Sequence, residues 1–285
     1  MELFSKRKTL FFVLIVVLLA LLAILFRGPR TPSSAGSGTP PVSTFAALTC
    51  IANQPCTRVL FLGNSYTLVN DLPVTFAQLA GSGGERVKVG MLAKGGETLA
   101  QHAADPETLK TINAEHWSYV VLQEQSETPA SVSLRTNQMY PAARTLVEEI
   151  RAAGVVPLFF LTWGHRNGWP ETGLTTYASM QDALNQGYMD IANELVVAVV
   201  PVGMAWSQVV TTTNIAMWQN DGSHPTAAGT YLTACVFYAA IFNRSPVGLT
   251  YHSILSDAQA QALQQVAAQI VLTNRSQWNL PNSNG

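Results

Sequence analysis

Two short stretches hold residue types that could form a hydrolytic nucleophile and its base. The first is Val59-Leu60-Phe61-Leu62-Gly63-Asn64-Ser65-Tyr66-Thr67. Its apolar run reads as a buried strand, Gly63 permits a sharp turn, and Ser65 follows where the chain leaves the sheet. A serine there stands at the carboxyl edge of a sheet with its hydroxyl exposed, where open α/β folds take their ligands. The second stretch is Asn220-Asp221-Gly222-Ser223-His224-Pro225-Thr226. Asp and His three apart on one turn can face each other. The carboxylate then holds the imidazole Nδ1–H and leaves Nε2 free to take a proton. Pro225 stiffens the turn and Thr226 can cap the helix that follows. Each stretch alone also reads as ordinary turn chemistry. Together they form a candidate set: Ser65 the nucleophile, His224 its base, Asp221 the group that orients the base.

These residues need a scaffold that brings positions 65 and 224 to one edge. Strands are expected at 58–62, 86–92, 119–123, 155–162 and 196–202. Helical patterns lie between and after them, at 71–80 (with Pro73 in its first turn and Gly81 closing it), 107–115, 136–153, 175–194, 227–242 and 257–273. Short continuous apolar strands spaced by helices imply an α/β fold with a parallel sheet covered on both faces. In the last helix Leu263, Val266, Ala267, Ile270 and Val271 make an apolar stripe, which suits packing rather than chemistry.

Composition bounds the rest. The chain has 285 residues, 48% hydrophobic and only 12% charged, enough for one full core plus an appendage. The uncharged run Thr9 to Phe26 would make roughly 27 Å of helix, near the hydrocarbon thickness of a bilayer. Lys6, Arg7 and Lys8 before it suit the cytoplasmic side. Residues 1–26 are therefore expected to be a membrane signal-anchor, with a cleaved signal peptide ending near Ser34-Ala35-Gly36 as the alternative. Residues 27–45, rich in Pro, Gly and Ser, read as a linker, 46–275 as the globular domain and 276–285 as a tail. Either reading exports the domain. Residues 46–285 carry 11 of the 16 basic and 16 of the 17 acidic residues, so no basic patch invites nucleic acid. Cys50 and Cys56 can pair in an oxidising compartment, while Cys235 sits in an apolar helical run as a small hydrophobe. The cysteines and the five histidines show no metal-ligand spacing, and no cofactor is expected.

Gly63-Asn64-Ser65 with Asp221-Gly222-Ser223-His224-Pro225 resembles the first and last signature blocks of the SGNH (GDSL-like) hydrolases, over about residues 57–245. The resemblance implies a three-layer α/β/α sandwich with a flavodoxin-like, five-stranded parallel sheet, and esterase chemistry. It also implies an oxyanion hole made by the serine N–H, a glycine N–H and an asparagine side chain. The glycine maps onto Gly96, in Lys94-Gly95-Gly96-Glu97-Thr98, with Gly95 as the fallback. The family's third block falls on Gln123-Glu124-Gln125-Ser126, which has no asparagine. Gln125 occupies that position with the same amide donor on a longer stem, and Gln123 is the other possibility. Asn64 also stands where the family usually has Asp.

Trp163-Gly164-His165-Arg166-Asn167-Gly168-Trp169 should overhang the same edge after the fourth strand, where Trp163 and His165 could meet substrate. Tyr66, beside the nucleophile, could line the site or pack. His102, His116 and His252 read as surface or packing residues. The expectation is an exported, membrane-anchored serine esterase acting on small-molecule or glycan esters. Two other readings use the same residues: an envelope O-acyltransferase, and a non-catalytic carbohydrate-binding protein on this fold.

Overall fold

A computed structural model of the chain describes residues 50–51 and 54–281. The anchor and linker expected before them lie outside the described residues. Among those described, no helix is long and apolar enough to cross a membrane.

Five strands form one sheet: β1 (Thr57–Gly63), β2 (Val87–Ala93), β3 (Tyr119–Leu122), β4 (Val156–Phe160) and β5 (Ala198–Val200). Their order is β2-β1-β3-β4-β5 and every pairing is parallel. Val59, Leu60, Phe61 and Leu62 of β1 are wholly buried, as a central strand covered on both faces requires. Each such side chain contributes about 1.5–3 kcal/mol through burial. The chain runs from β1 to β2 on one side and then crosses back to β3 on the other. This reversal opens a crevice beyond the carboxyl ends of β1 and β3. Register puts Gly63 level with Ala93, and Leu62 level with Leu122. The segments that follow these three strands therefore leave the sheet together.

Helices cover both faces. α1 (Ser65–Leu68) and α2 (Leu72–Ser82) follow β1; α3 (Leu99–Ala104) and α4 (Pro106–Ala114) follow β2. α5 (Tyr140–Ala152), α6 (Tyr177–Leu195), α7 (Val202–Thr212), α8 (Ala227–Phe242) and α9 (Asp257–Leu272) complete the layers. α2 packs on α8 and α8 on α9, whereas α3 packs on α5 and α5 on α6. This is the expected three-layer sandwich with the flavodoxin-like strand order.

Several sequence expectations need correction. Gly81 lies inside α2, which ends at Ser82; Gly83 caps it and Gly84 takes the left-handed conformation at φ 83°. The apolar run 196–202 is not one strand. Val196 caps α6 at φ 51°, β5 spans only Ala198–Val200, and α7 begins at Val202. Short apolar runs do not separate strand from buried helix by periodicity. The expected helix 136–153 is part of a longer helical run: Val132–Leu134 is α-helical, Arg135–Met139 forms a π-helical turn, and α5 continues from Tyr140, where Pro141 has no N–H to bond. The folded body also runs past 275. Trp278 and Leu280 are buried, and the buried Arg275 guanidinium donates to the carbonyls of Ala239 and Ala240 near the end of α8. Cys50 and Cys56 are joined as a disulfide just before β1, and Cys235 is free and buried.

Candidate active site

Ser65 is the first residue of α1, and Asn64 caps that helix. Asn64 has a non-helical backbone (φ −139°, ψ −147°) and its Oδ1 accepts from the Tyr66 N–H at 3.1 Å. A cap followed at once by a helix throws the Ser65 hydroxyl outward at the sheet edge. The Ser65 N–H has no intrahelical carbonyl to bond. Gly63 is required beneath it: a Cβ there would stand 2.5 Å from both Gln123 Oε1 and Thr67 Oγ1.

The Asp221–His224 turn arrives from the far end of the chain. His224 Nε2 lies 2.9 Å from Ser65 Oγ, and its Nδ1 lies 2.7 Å from Asp221 Oδ2. The other carboxylate oxygen of Asp221 accepts from the N–H groups of Ser223 (2.9 Å) and His224 (3.0 Å). Partial burial pulls the Asp221 carboxyl pKa up, but these N–H groups and the imidazole outweigh it and hold the pKa down at about 2. An ionised Asp221 requires Nδ1 to be the protonated ring nitrogen, so Nε2 faces Ser65 as an acceptor. Gly222, at φ 73°, turns the backbone between the two. Thr226 caps α8 through the Gly229 N–H, as expected.

An aromatic column supports this turn. Tyr66 stacks on Trp163 (centroids 4.4 Å apart) and Trp163 on Trp206 (4.1 Å). Tyr66 also meets the His224 ring edge-on at 5.9 Å. Trp163 Nε1–H donates to the Ser223 carbonyl at 2.9 Å, and the Tyr66 hydroxyl lies 2.7 Å from Ser223 Oγ. Trp218 Nε1–H reaches the Gly164 carbonyl, and Arg166 binds the turn through its own N–H to the Gly222 carbonyl. Tyr66 and Trp163 are thus buried props for His224. Trp163 has rings on both faces and none left for a substrate, which corrects its expected role.

The third block sorts its two glutamines. Gln123 is wholly buried. Its Oε1 accepts from the Asn64 N–H and the Thr67 hydroxyl, both at 2.9 Å, and its Nε2 donates to the Glu124 carbonyl. Both ends are spent, so Gln123 buttresses the serine turn and is no candidate donor. Gln125 is different. Its Oε1 accepts from the N–H groups of Glu127 (2.8 Å) and Thr128 (3.0 Å), which fixes the amide's orientation. Its Nε2 then has only a long contact, 3.3 Å, to Ser126 Oγ. Gly96 is exposed at φ 73°, in a turn closed by the Glu97 N–H to the Lys94 carbonyl. Asn64 Nδ2 donates to the Glu97 carbonyl at 2.9 Å, tying the serine turn to this glycine turn. An aspartate, the family's usual residue, could not make that bond when ionised.

His165 stands beside the Asp221–His224 turn without bonding to Ser65, His224 or Asp221. Its Nε2 is 3.3 Å from Ser126 Oγ and its Nδ1 is 3.9 Å from Glu127. Burial pushes its pKa down against the pull of Glu127, which favours the neutral ring. His102 is a buried packing residue, its Nε2 against the Gly63 carbonyl at 2.9 Å. Glu124, inside the third block but given no role by the resemblance, is wholly buried beside Gln125. Among the described residues no group of three or more His, Cys, Asp or Glu side chains is arranged to hold a metal ion.

No family model and no curated protein sequence matches the chain. Solved structures do. A DUF4886 family protein from Bacteroides uniformis superposes with TM-score 0.67 at 19% identity, over 77% of this chain and 96% of that one. A putative SGNH hydrolase from Slackia heliotrinireducens matches at 27% identity and TM-score 0.55, over 66% and 100%. A variant acetyl-xylooligosaccharide esterase from Geobacillus stearothermophilus matches at 16% and 0.52, over 70% and 97%. With the 2-1-3-4-5 sheet and the early serine and late Asp–His turns at one edge, these likenesses place the fold of the chain with that of the SGNH/GDSL-like superfamily.

Proposed function

We propose that the chain is a serine esterase. The observation that carries this reading is the continuous relay from Ser65 Oγ to His224 Nε2 (2.9 Å) and from His224 Nδ1 to Asp221 (2.7 Å). Ser65 attacks an ester carbonyl while His224 Nε2 takes the hydroxyl proton. Asp221 keeps the ring in the productive tautomer and stabilises the imidazolium. The Ser65 N–H, the Gly96 N–H and the Gln125 Nε2–H bind the oxyanion. The tetrahedral adduct collapses, the C–O bond to the alcohol breaks, and His224 gives its proton to the leaving oxygen. Water, deprotonated by the same Nε2, then cleaves the acyl-enzyme. Each oxyanion donor is worth about 10²–10³ in turnover.

Small acyl groups on glycans are the proposed substrates. Support comes from the acetyl-xylooligosaccharide esterase among the structural neighbours and from the polar side chains of Ser126, His165 and Glu127, which meet one another near the Asp221–His224 turn. Export belongs to the same reading, with residues 1–26 as the anchor. The Cys50–Cys56 disulfide fits an oxidising compartment. The test is hydrolysis of p-nitrophenyl acetate by the purified chain and its Ser65→Ala variant. Turnover that vanishes in the variant supports the proposal; turnover that survives it defeats the proposal.

A further inference from the structure

Glu124 is a buried carboxyl that the proposed chemistry does not use. Its side chain is wholly buried at the end of β3, between Gln123 and Gln125. One oxygen, Oε1, accepts two backbone N–H groups: that of Leu99 at 3.1 Å and that of Gln125 at 2.6 Å. The other, Oε2, has no partner among the described residues. Burying such a group is costly unless it secures something.

What it secures is the spacing of two segments. Leu99 opens α3, three residues after Gly96. The glycine turn is pinned on one side by Asn64 Nδ2 at the Glu97 carbonyl (2.9 Å) and on the other by Glu124 at the Leu99 N–H. Gln125 is pinned through its own N–H by the same Glu124 oxygen, while its side-chain Oε1 is fixed on Glu127 and Thr128. A single atom therefore joins the strand-two turn to the strand-three turn. Building on the esterase reading, we infer that Glu124 is a positioning residue for the oxyanion site, setting the distance between the Gly96 N–H and the Gln125 amide through Oε1. A glutamine keeps an acceptor oxygen at that point; a leucine fills the space and removes it.

The test uses the full chain with p-nitrophenyl acetate and its thionoester. Sulfur is a weak hydrogen-bond acceptor and gains little from oxyanion donors, so the oxygen-over-sulfur preference in kcat/KM reports on the hole itself. Glu124→Gln should keep kcat and this preference within about threefold of the parent. Glu124→Leu should lower kcat by about 10–100-fold, leave KM within about threefold and collapse the preference, since roughly 1 Å of misplacement costs about that much. A folded Glu124→Leu with parental kcat and preference overturns the inference. If that variant does not fold, Glu124→Met, which fills the space on a flexible stem without an acceptor oxygen, decides on the same readouts: a lowered kcat with a collapsed preference upholds the inference, and parental values overturn it. A parent with no turnover defeats the esterase reading, and this inference with it, whatever the variants do.

Discussion

Replacing Asn64 by the residue usual at its position in this superfamily should damage this protein, in a pH-dependent way. Asn64 is buried and uses three groups: its N–H to Gln123, its Oδ1 to the Tyr66 N–H, and its Nδ2 to the Glu97 carbonyl at 2.9 Å. Asn64→Asp keeps the first two and turns the third into an oxygen facing an oxygen. The lost bond and the unsatisfied carbonyl cost about 1–3 kcal/mol. The new carboxyl can recover the donor only by holding a proton, so its folded pKa rises above the unfolded value of about 3.9. A raised acid binds more protons folded than unfolded, and stability falls as pH climbs through that window. A rise of about 2–3 units amounts to roughly 3–4 kcal/mol at pH 8. The helix-capping benefit of a carboxylate, about 1 kcal/mol, opposes this but is smaller. For a domain of this size the net loss lowers Tm by roughly 10 °C at pH 8 and far less at pH 4. Circular-dichroism melts of parent and variant at both values measure it. A variant as stable as the parent at pH 8, or equally destabilised at both pH values, would refute the reasoning.

Further outcomes follow from other contacts. Asp221→Asn keeps the acceptor for the Ser223 and His224 N–H groups but reverses the imidazole tautomer; kcat should fall about 10³–10⁴-fold with little change in Tm, and a loss under tenfold would contradict the relay. Burial raises the Glu124 pKa to about 7, despite the opposing N–H bonds of Gln125 and Leu99. The folded state therefore holds that proton longer, and stability should drop by about 3 kcal/mol from pH 4.5 to 7. Melting curves of Glu124→Gln should lack that drop relative to the parent. Trp163→Ala empties the middle of the aromatic column and should cost about 3–5 kcal/mol by thermal unfolding. Trp163→Phe, which keeps a ring but loses the bond to the Ser223 carbonyl, should melt between the two and still lose kcat.

The parts of the site legible in sequence are the local ones. Asp221 and His224 share one turn, so spacing alone lets them meet, and Gly63-Asn64-Ser65 announces a turn whatever lies around it. A parallel sheet covered on both faces follows from short apolar runs alternating with helices, while its strand order is implied only by the family resemblance. What the sequence hides is decided by distant partners. Gln123 and Gln125 differ by two positions and carry the same amide, yet one faces Asn64 and Thr67 and the other the Thr128 turn. Glu124 reads as a polar strand end until Leu99, 25 positions earlier, is brought to its carboxyl. Trp163 reads as a loop aromatic at the rim, but Tyr66 and Trp206 close on its two faces. The expected strand 196–202 covers the cap of α6, all of β5 and the first residue of α7, because a short apolar run carries no period that separates them.

The most direct test of the account is to treat the purified chain with a serine-reactive fluorophosphonate while following p-nitrophenyl acetate hydrolysis, and to locate the adduct by peptide mass spectrometry. The account predicts one adduct, on Ser65, formed in step with loss of activity and absent from His224→Ala. An adduct on another serine, or activity that persists with Ser65 fully modified, would contradict it.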